Sequence, residues 1–197
     1  MRLVVVLLLG LVAFGGWQVG RREQNERQLA LVATEVAQRE VGVDCPGFFA
    51  RLIEITPNAG WVDFDEQGLP SDQTHLSAAT CESLERIWRA DEPPSFTCLR
   101  GMCTRETLAL VAGIVTLAHE AWHLRGVTNE AQTQCYAIQT TELVALRLGV
   151  RTADARAVAD YVAGRDARAP AGEYHSVECR PGGSFDLHPE TLDWPTG

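Results

Sequence analysis

The sequence predicts a mainly α-helical fold with a small antiparallel β element. Apolar residues recur at helical spacing along five stretches, most of them bounded by caps and glycine terminators, while aromatic and β-branched residues cluster in one region only. At 197 residues, 46% of them hydrophobic and 22% charged, the chain can bury one core and is too short for two ordinary domains. A formal net charge of −9 argues against nucleic acid or an anionic lipid surface as the main partner.

Met1 and Arg2 precede an almost unbroken apolar run from Leu3 to Val19, closed by Arg21 and Arg22. Such a run is at the lower limit for crossing a bilayer as a helix. It also fits a cleaved signal with Leu3 to Val12 as its apolar region, so residues 1–20 read as a signal anchor or signal peptide. Arg21, Arg22 and Arg27 outnumber Arg2, which alone would hold the remainder in the cytoplasm. The six cysteines (45, 81, 98, 103, 135, 179) weigh more: dispersed and even in number, they suit disulfides in an oxidising compartment. The expected location is extracytoplasmic, membrane-anchored or secreted.

Residues 21–42 read as an amphipathic stalk helix, solvated or packed, with Leu29, Val32 and Val36 on one stripe. Residues 43–197 form the compact disulfide-containing domain. Phe48 to Ile55 and Trp61 to Phe64, separated by Pro57-Asn58-Ala59-Gly60, suggest a β-hairpin. Ser77 caps a helix to about Arg89, and Thr104 caps a long one to Arg125 with Gly126 as its left-handed terminator. Asn129, with Gln132 three residues on, starts a helix ending at Gly149, and Thr152 caps a shorter one stopped by Gly164. Cys98 and Cys103 are close enough to bridge each other. From Arg165 the chain reads as an irregular tail pinned by Cys179.

Chemistry concentrates at the end of the long helix, in His119-Glu120-Ala121-Trp122-His123. Residues four apart share one helical face, so two imidazoles can converge on one ion, and the acid beside the first can take a proton from water there. Composition alone yields about 0.01 such H-E-x-x-H matches per chain of this size. Zinc prefers four ligands, so a third protein ligand is needed if water is to fill the fourth place. The chain turns at Gly126–Val127, which brings Glu130 back level with His123. Glu142 lies roughly 18 Å farther along that helix and cannot return. Glu130 is the preferred ligand; Asn129 and a distant His stay as alternatives. Cys135 reads as a disulfide partner rather than a ligand, tying the Glu130 helix to the tail or to the Cys81 helix. Trp122 reads as a core residue on the opposite face.

His119-Glu120-Ala121-Trp122-His123, followed by an acidic residue opening the next helix, resembles the zincin metallopeptidases, most closely their glutamate-ligand branch, the gluzincins. The resemblance covers residues 104–148. It implies a zincin-like active-site helix followed by an antiparallel ligand-bearing helix, with zinc held by His119, His123 and Glu130 and Glu120 as general base. In that branch an Asp four residues after the ligand orients a metal-binding His; here Gln134 stands there, an acceptor without charge. The metzincin spacing also matches through Gly126, but it would make Asn129 a ligand, and no methionine follows the motif. Tyr174 and His175, in the tail pinned by Cys179, are the candidate oxyanion donors, with an ordinary exposed loop pair as the alternative. His75 and His188 read as solvated loop residues.

The expected function is therefore an exported, membrane-anchored zinc-dependent hydrolase, a metallopeptidase acting on peptide or protein substrates. The alternatives are a non-catalytic exported interaction module with a structural or vestigial metal site, and a metal-dependent hydrolase of another amide.

Overall fold

One long helix, α1 (Arg2–Ala37), runs unbroken from the apolar N-terminal segment into the folded body. The computed structural model describes residues 2–47, 50, 58–191 and 194–195, with backbone alone for 2–14. Leu29, Val32, Ala33 and Val36 recur at the spacing of one helical face, and all four are buried in the core. The segment read as a stalk is thus packed rather than solvated. Polar ties reinforce it: Trp88 Nε1 donates to the buried Asn25 Oδ1 at 2.7 Å, Arg21 pairs with Glu85 at 2.6 Å and Arg22 with Asp44 at 2.7 Å.

Strands β1 (Gly42–Asp44), β2 (Gly60–Phe64) and β3 (Pro70–Leu76) form a sheet in the order β1-β3-β2. β2 pairs antiparallel with β3, placing Trp61 opposite His75 and Val62 opposite Thr74, whereas β1 runs parallel to β3. The expected antiparallel element is present, with a parallel strand added. Of the expected hairpin, Trp61 to Phe64 is β2; the other arm, Phe48 to Ile55, lies outside the described residues apart from residue 50. The actual partner, β3, opens on Pro70-Ser71-Asp72-Gln73, which carries no strand signal. Strand alternation turns Val62, Thr74 and Leu76 inward, while Trp61 stacks on His75 at 5.0 Å on the other face.

Three helices start where their caps predict. Ser77 accepts from Thr80 N to open α2 (Ala78–Trp88), Thr104 from Thr107 N to open α3 (Arg105–Leu124), and Asn129 from Gln132 N to open α4 (Glu130–Arg147). The last, α5 (Thr152–Asp166), differs from expectation: Arg151 holds the N-cap position, and Gly164 lies buried inside the helix rather than ending it. Asp154 substitutes for a capping side chain. It pairs with Arg151 at 2.6 Å and accepts from Phe96 N at 2.7 Å, anchoring the first turn to the loop before the 3-10 turn Thr97–Arg100. Packing then carries the helix past a glycine that costs only about 1 kcal/mol.

α3 is the centre of the molecule. α1, α2, α4 and the sheet pack around it, and every residue from Leu117 to Leu124 is buried. By length and composition α3 would suffice to cross a membrane, but its burial marks it as a core helix. Disulfides join Cys45 to Cys81, Cys98 to Cys103 and Cys135 to Cys179, a set that fits an extracytoplasmic protein. Cys135 is therefore not a metal ligand, and its bridge ties α4 to the tail.

Candidate metal centre

The site is built by the turn that ends α3. Gly126 adopts φ +102°, and two backbone bonds close the helix: Gly126 N to His123 O at 2.8 Å and Val127 N to Trp122 O at 3.2 Å. This crossed pair reverses the chain within a few residues, so Glu130, first in α4, returns beside the last turn of α3. His119, His123 and Glu130 come together as expected. His119 Nε2 and His123 Nε2 lie 3.0 Å apart, and Glu130 Oε2 is 3.0 Å from the first and 3.3 Å from the second.

The opposite edge of each ring decides what those atoms are. His123 Nδ1 lies 2.7 Å from the carbonyl oxygen of Val127, which can only accept, so Nδ1 carries the proton. His119 Nδ1 donates in the same way to Gln134 Oε1 at 3.1 Å. In neutral imidazoles this leaves a lone pair on each Nε2. Two nitrogen lone pairs and a carboxylate oxygen therefore face one another at about 3 Å, an arrangement that repels itself unless a cation lies between. Burial first, then the neighbouring His123, holds the His119 pKa below the ordinary histidine value, so a proton fills that role poorly. Three donors about 2.0–2.1 Å from a tetrahedral ion would stand about 3.3–3.4 Å apart, close to the spacings here.

Glu120 points into the same space. It is buried, its Oε2 has no hydrogen-bond partner among the described residues, and burial reinforced by Glu130 pushes its pKa up to about 8. These groups line a cleft of about 690 Å³ walled by β2 on one side and reached by Tyr174 on the other. Phe64 meets the His123 ring edge-on at 5.9 Å, and the Tyr174 ring is 6.0 Å from that of His119.

One expectation is corrected by this geometry, one alternative falls, and the exclusion of Glu142 holds. His175 does not join the site: its Nδ1 is 2.5 Å from Asp166 Oδ1 at the end of α5, because the tail turns back on itself through the Gly172–His175 bridge. Among the described residues Asn129 caps α4 through its side chain and is no ligand, and Glu142 pairs with Arg156 at 3.1 Å. Trp122 is buried as expected, its Nε1 donating to Thr140 at 3.1 Å. Gly60 and the Val127 carbonyl were not expected at the site. A carbonyl leaves no signal in the residue letters, and Gly60 reads simply as part of a turn.

No protein-family model matches the chain, nor does any curated protein or solved structure. What the atoms themselves provide is a His/His/Glu triad that could hold a metal ion, with a buried acid beside it.

Proposed function

We propose that the protein is an exported zinc-dependent hydrolase, anchored by residues 1–20, and that its reaction is hydrolysis of a peptide bond. The observation that carries this reading is the convergence of His119 Nε2, His123 Nε2 and Glu130 Oε2 next to the buried Glu120 carboxylate, whose Oε2 has no hydrogen-bond partner among the described residues. Two imidazoles and one carboxylate suit zinc, and three protein ligands leave a fourth place for catalysis. Zinc bound there would supply Lewis acidity to a carbonyl oxygen and make water more acidic.

The chain's own groups do the remainder. Gln134 and the Val127 carbonyl hold the two Nδ1 protons, keeping both Nε2 atoms turned inward. Glu120 accepts a proton from the attacking water and passes it to the leaving nitrogen; the burial that raises its pKa makes its ionised form a strong base. Burial together with Glu130 and Glu173 also raises the Tyr174 pKa, so its hydroxyl stays protonated and can donate to a developing oxyanion. Support for a peptide substrate comes from β2. Among the described residues it is an edge strand of the sheet and it lines the cleft, so its outer backbone groups can align an extended chain.

The test uses residues 21–197. The wild-type fragment should hold about one zinc and cleave members of a peptide library, and His119→Ala or His123→Ala should lose the metal. Glu120→Gln should keep the zinc and lose at least about 100-fold in kcat. Full activity in that variant would remove Glu120 as the base. A zinc-loaded wild type that cleaves neither peptides nor other amides would favour a non-catalytic interaction module.

A further inference from the structure

We propose that Gly60 is a positioning residue for Glu120: the bare backbone of β2 at this point fixes the carboxylate beside the triad. The catalytic half of this inference rests on the role given to Glu120 above; the structural half does not.

Glu120 Oε2 is buried without a hydrogen bond among the described residues, so packing, rather than a polar partner, determines where it lies. The packing surface is Gly60. A Cβ at Gly60 would fall 2.9 Å from Glu120 Cγ and 3.0 Å from its Oε1, closer than ordinary van der Waals contact permits. Gly60 is not among the glycines with positive φ, so the backbone conformation does not require glycine there. The space does.

Neither backbone can retreat. The Ala59 carbonyl accepts from Ser77 N at 2.9 Å and from Thr80 Oγ1 at 2.8 Å, both at the start of α2, and Gly60 is paired with Leu76 in the ladder. The Cys45–Cys81 disulfide holds α2 in turn. Glu120 belongs to the stretch of α3 that is buried on every residue. The three nearest atoms belong to two side chains that could yield, Glu120 and Leu76, whose Cδ2 would also stand 2.9 Å from the added carbon. Leu76 is fully enclosed in the core, whereas Glu120 borders the open cleft. The carboxylate moves.

The decisive experiment is a crystal structure of zinc-loaded Gly60→Ala together with its kinetics. The expected result is a displaced Glu120 carboxylate, unchanged zinc content and affinity, and a fall in kcat of about 100-fold with KM within about threefold. In a Glu120→Gln background the same substitution should cost nothing more. A carboxylate that stays in place while Leu76 or β2 shifts overturns the proposal, as does an equal loss in both backgrounds. Gly60→Ala with Leu76→Ala removes the core contact and serves if the single variant fails to fold; recovery of kcat there would trace the effect to Leu76 and also overturn it. Should the wild-type protein hydrolyse nothing, the proposed function falls, and the position of the carboxylate in the variant structure still decides for or against Gly60.

Discussion

Gln134 stands where an aspartate would have given the His119 imidazole a charged partner. Its Oε1 still accepts the Nδ1 proton at 3.1 Å, so it fixes the tautomer without raising the basicity of the ring as a carboxylate would. Gln134→Ala should therefore weaken zinc binding about 10- to 100-fold, and Gln134→Asp should strengthen it, both measured by competition with a chelator. Glu120 yields a second prediction, for the metal-free protein. Its carboxyl titrates near 4.5 when unfolded and at about 8 when folded, so between those values the folded state holds the extra proton. Stability should then be highest below about pH 4.5 from this group and fall as the pH rises through 8, by at most on the order of 5 kcal/mol. Denaturant unfolding across that range should show this loss in wild type and not in Glu120→Gln, where the lowered pKa of His119 leaves a stability that rises with pH toward 6.5.

Between elements, the turn from α3 to α4 does two tasks with few residues. The left-handed Gly126 ends α3, and the Val127 carbonyl that it brings round orients His123. Gly126→Ala should cost about 1 kcal/mol of stability and also weaken zinc binding, because strain in the turn moves both the carbonyl and Glu130. Thr104→Ala at the opposite end of α3 should cost a similar ~1 kcal/mol through the lost cap yet leave zinc affinity unchanged. Thermal unfolding and metal titration of the two variants separate a cap from a site-building turn. The same caps explain why α2, α3 and α4 could be bounded from the letters: each depends on a side chain bonding within three residues. α5 could not, since Asp154 at its start is held by Phe96, 58 residues away in the chain.

For the molecule as a whole, α1 joins the apolar N-terminal segment to the core without a hinge. Removal of residues 1–20 should leave a soluble, folded protein that still binds zinc. Removal of residues 1–38 should abolish folding, because it strips Leu29, Val32, Ala33 and Val36 from the core along with the Asn25–Trp88 and Arg21–Glu85 ties. Circular dichroism and zinc content of the two truncations test this. Had α1 been a solvated stalk, both fragments would fold alike. The distinction was hidden in the sequence, where an apolar stripe looks the same against solvent and against a core.

Local chemistry was legible in the sequence. The helix periods, three of the caps, the Gly126 terminator, the four-residue spacing of His119 and His123 and the return of Glu130 all depend on residues close together in the chain, where helical geometry is fixed. Tertiary structure alone decided the pairing of β2 with β3, the packing of α1, the turning away of His175 toward Asp166 and the contact of Gly60 with Glu120. Each of these joins distant segments, or depends on which way a loop folds, and is set by how surfaces fill space once the elements have formed.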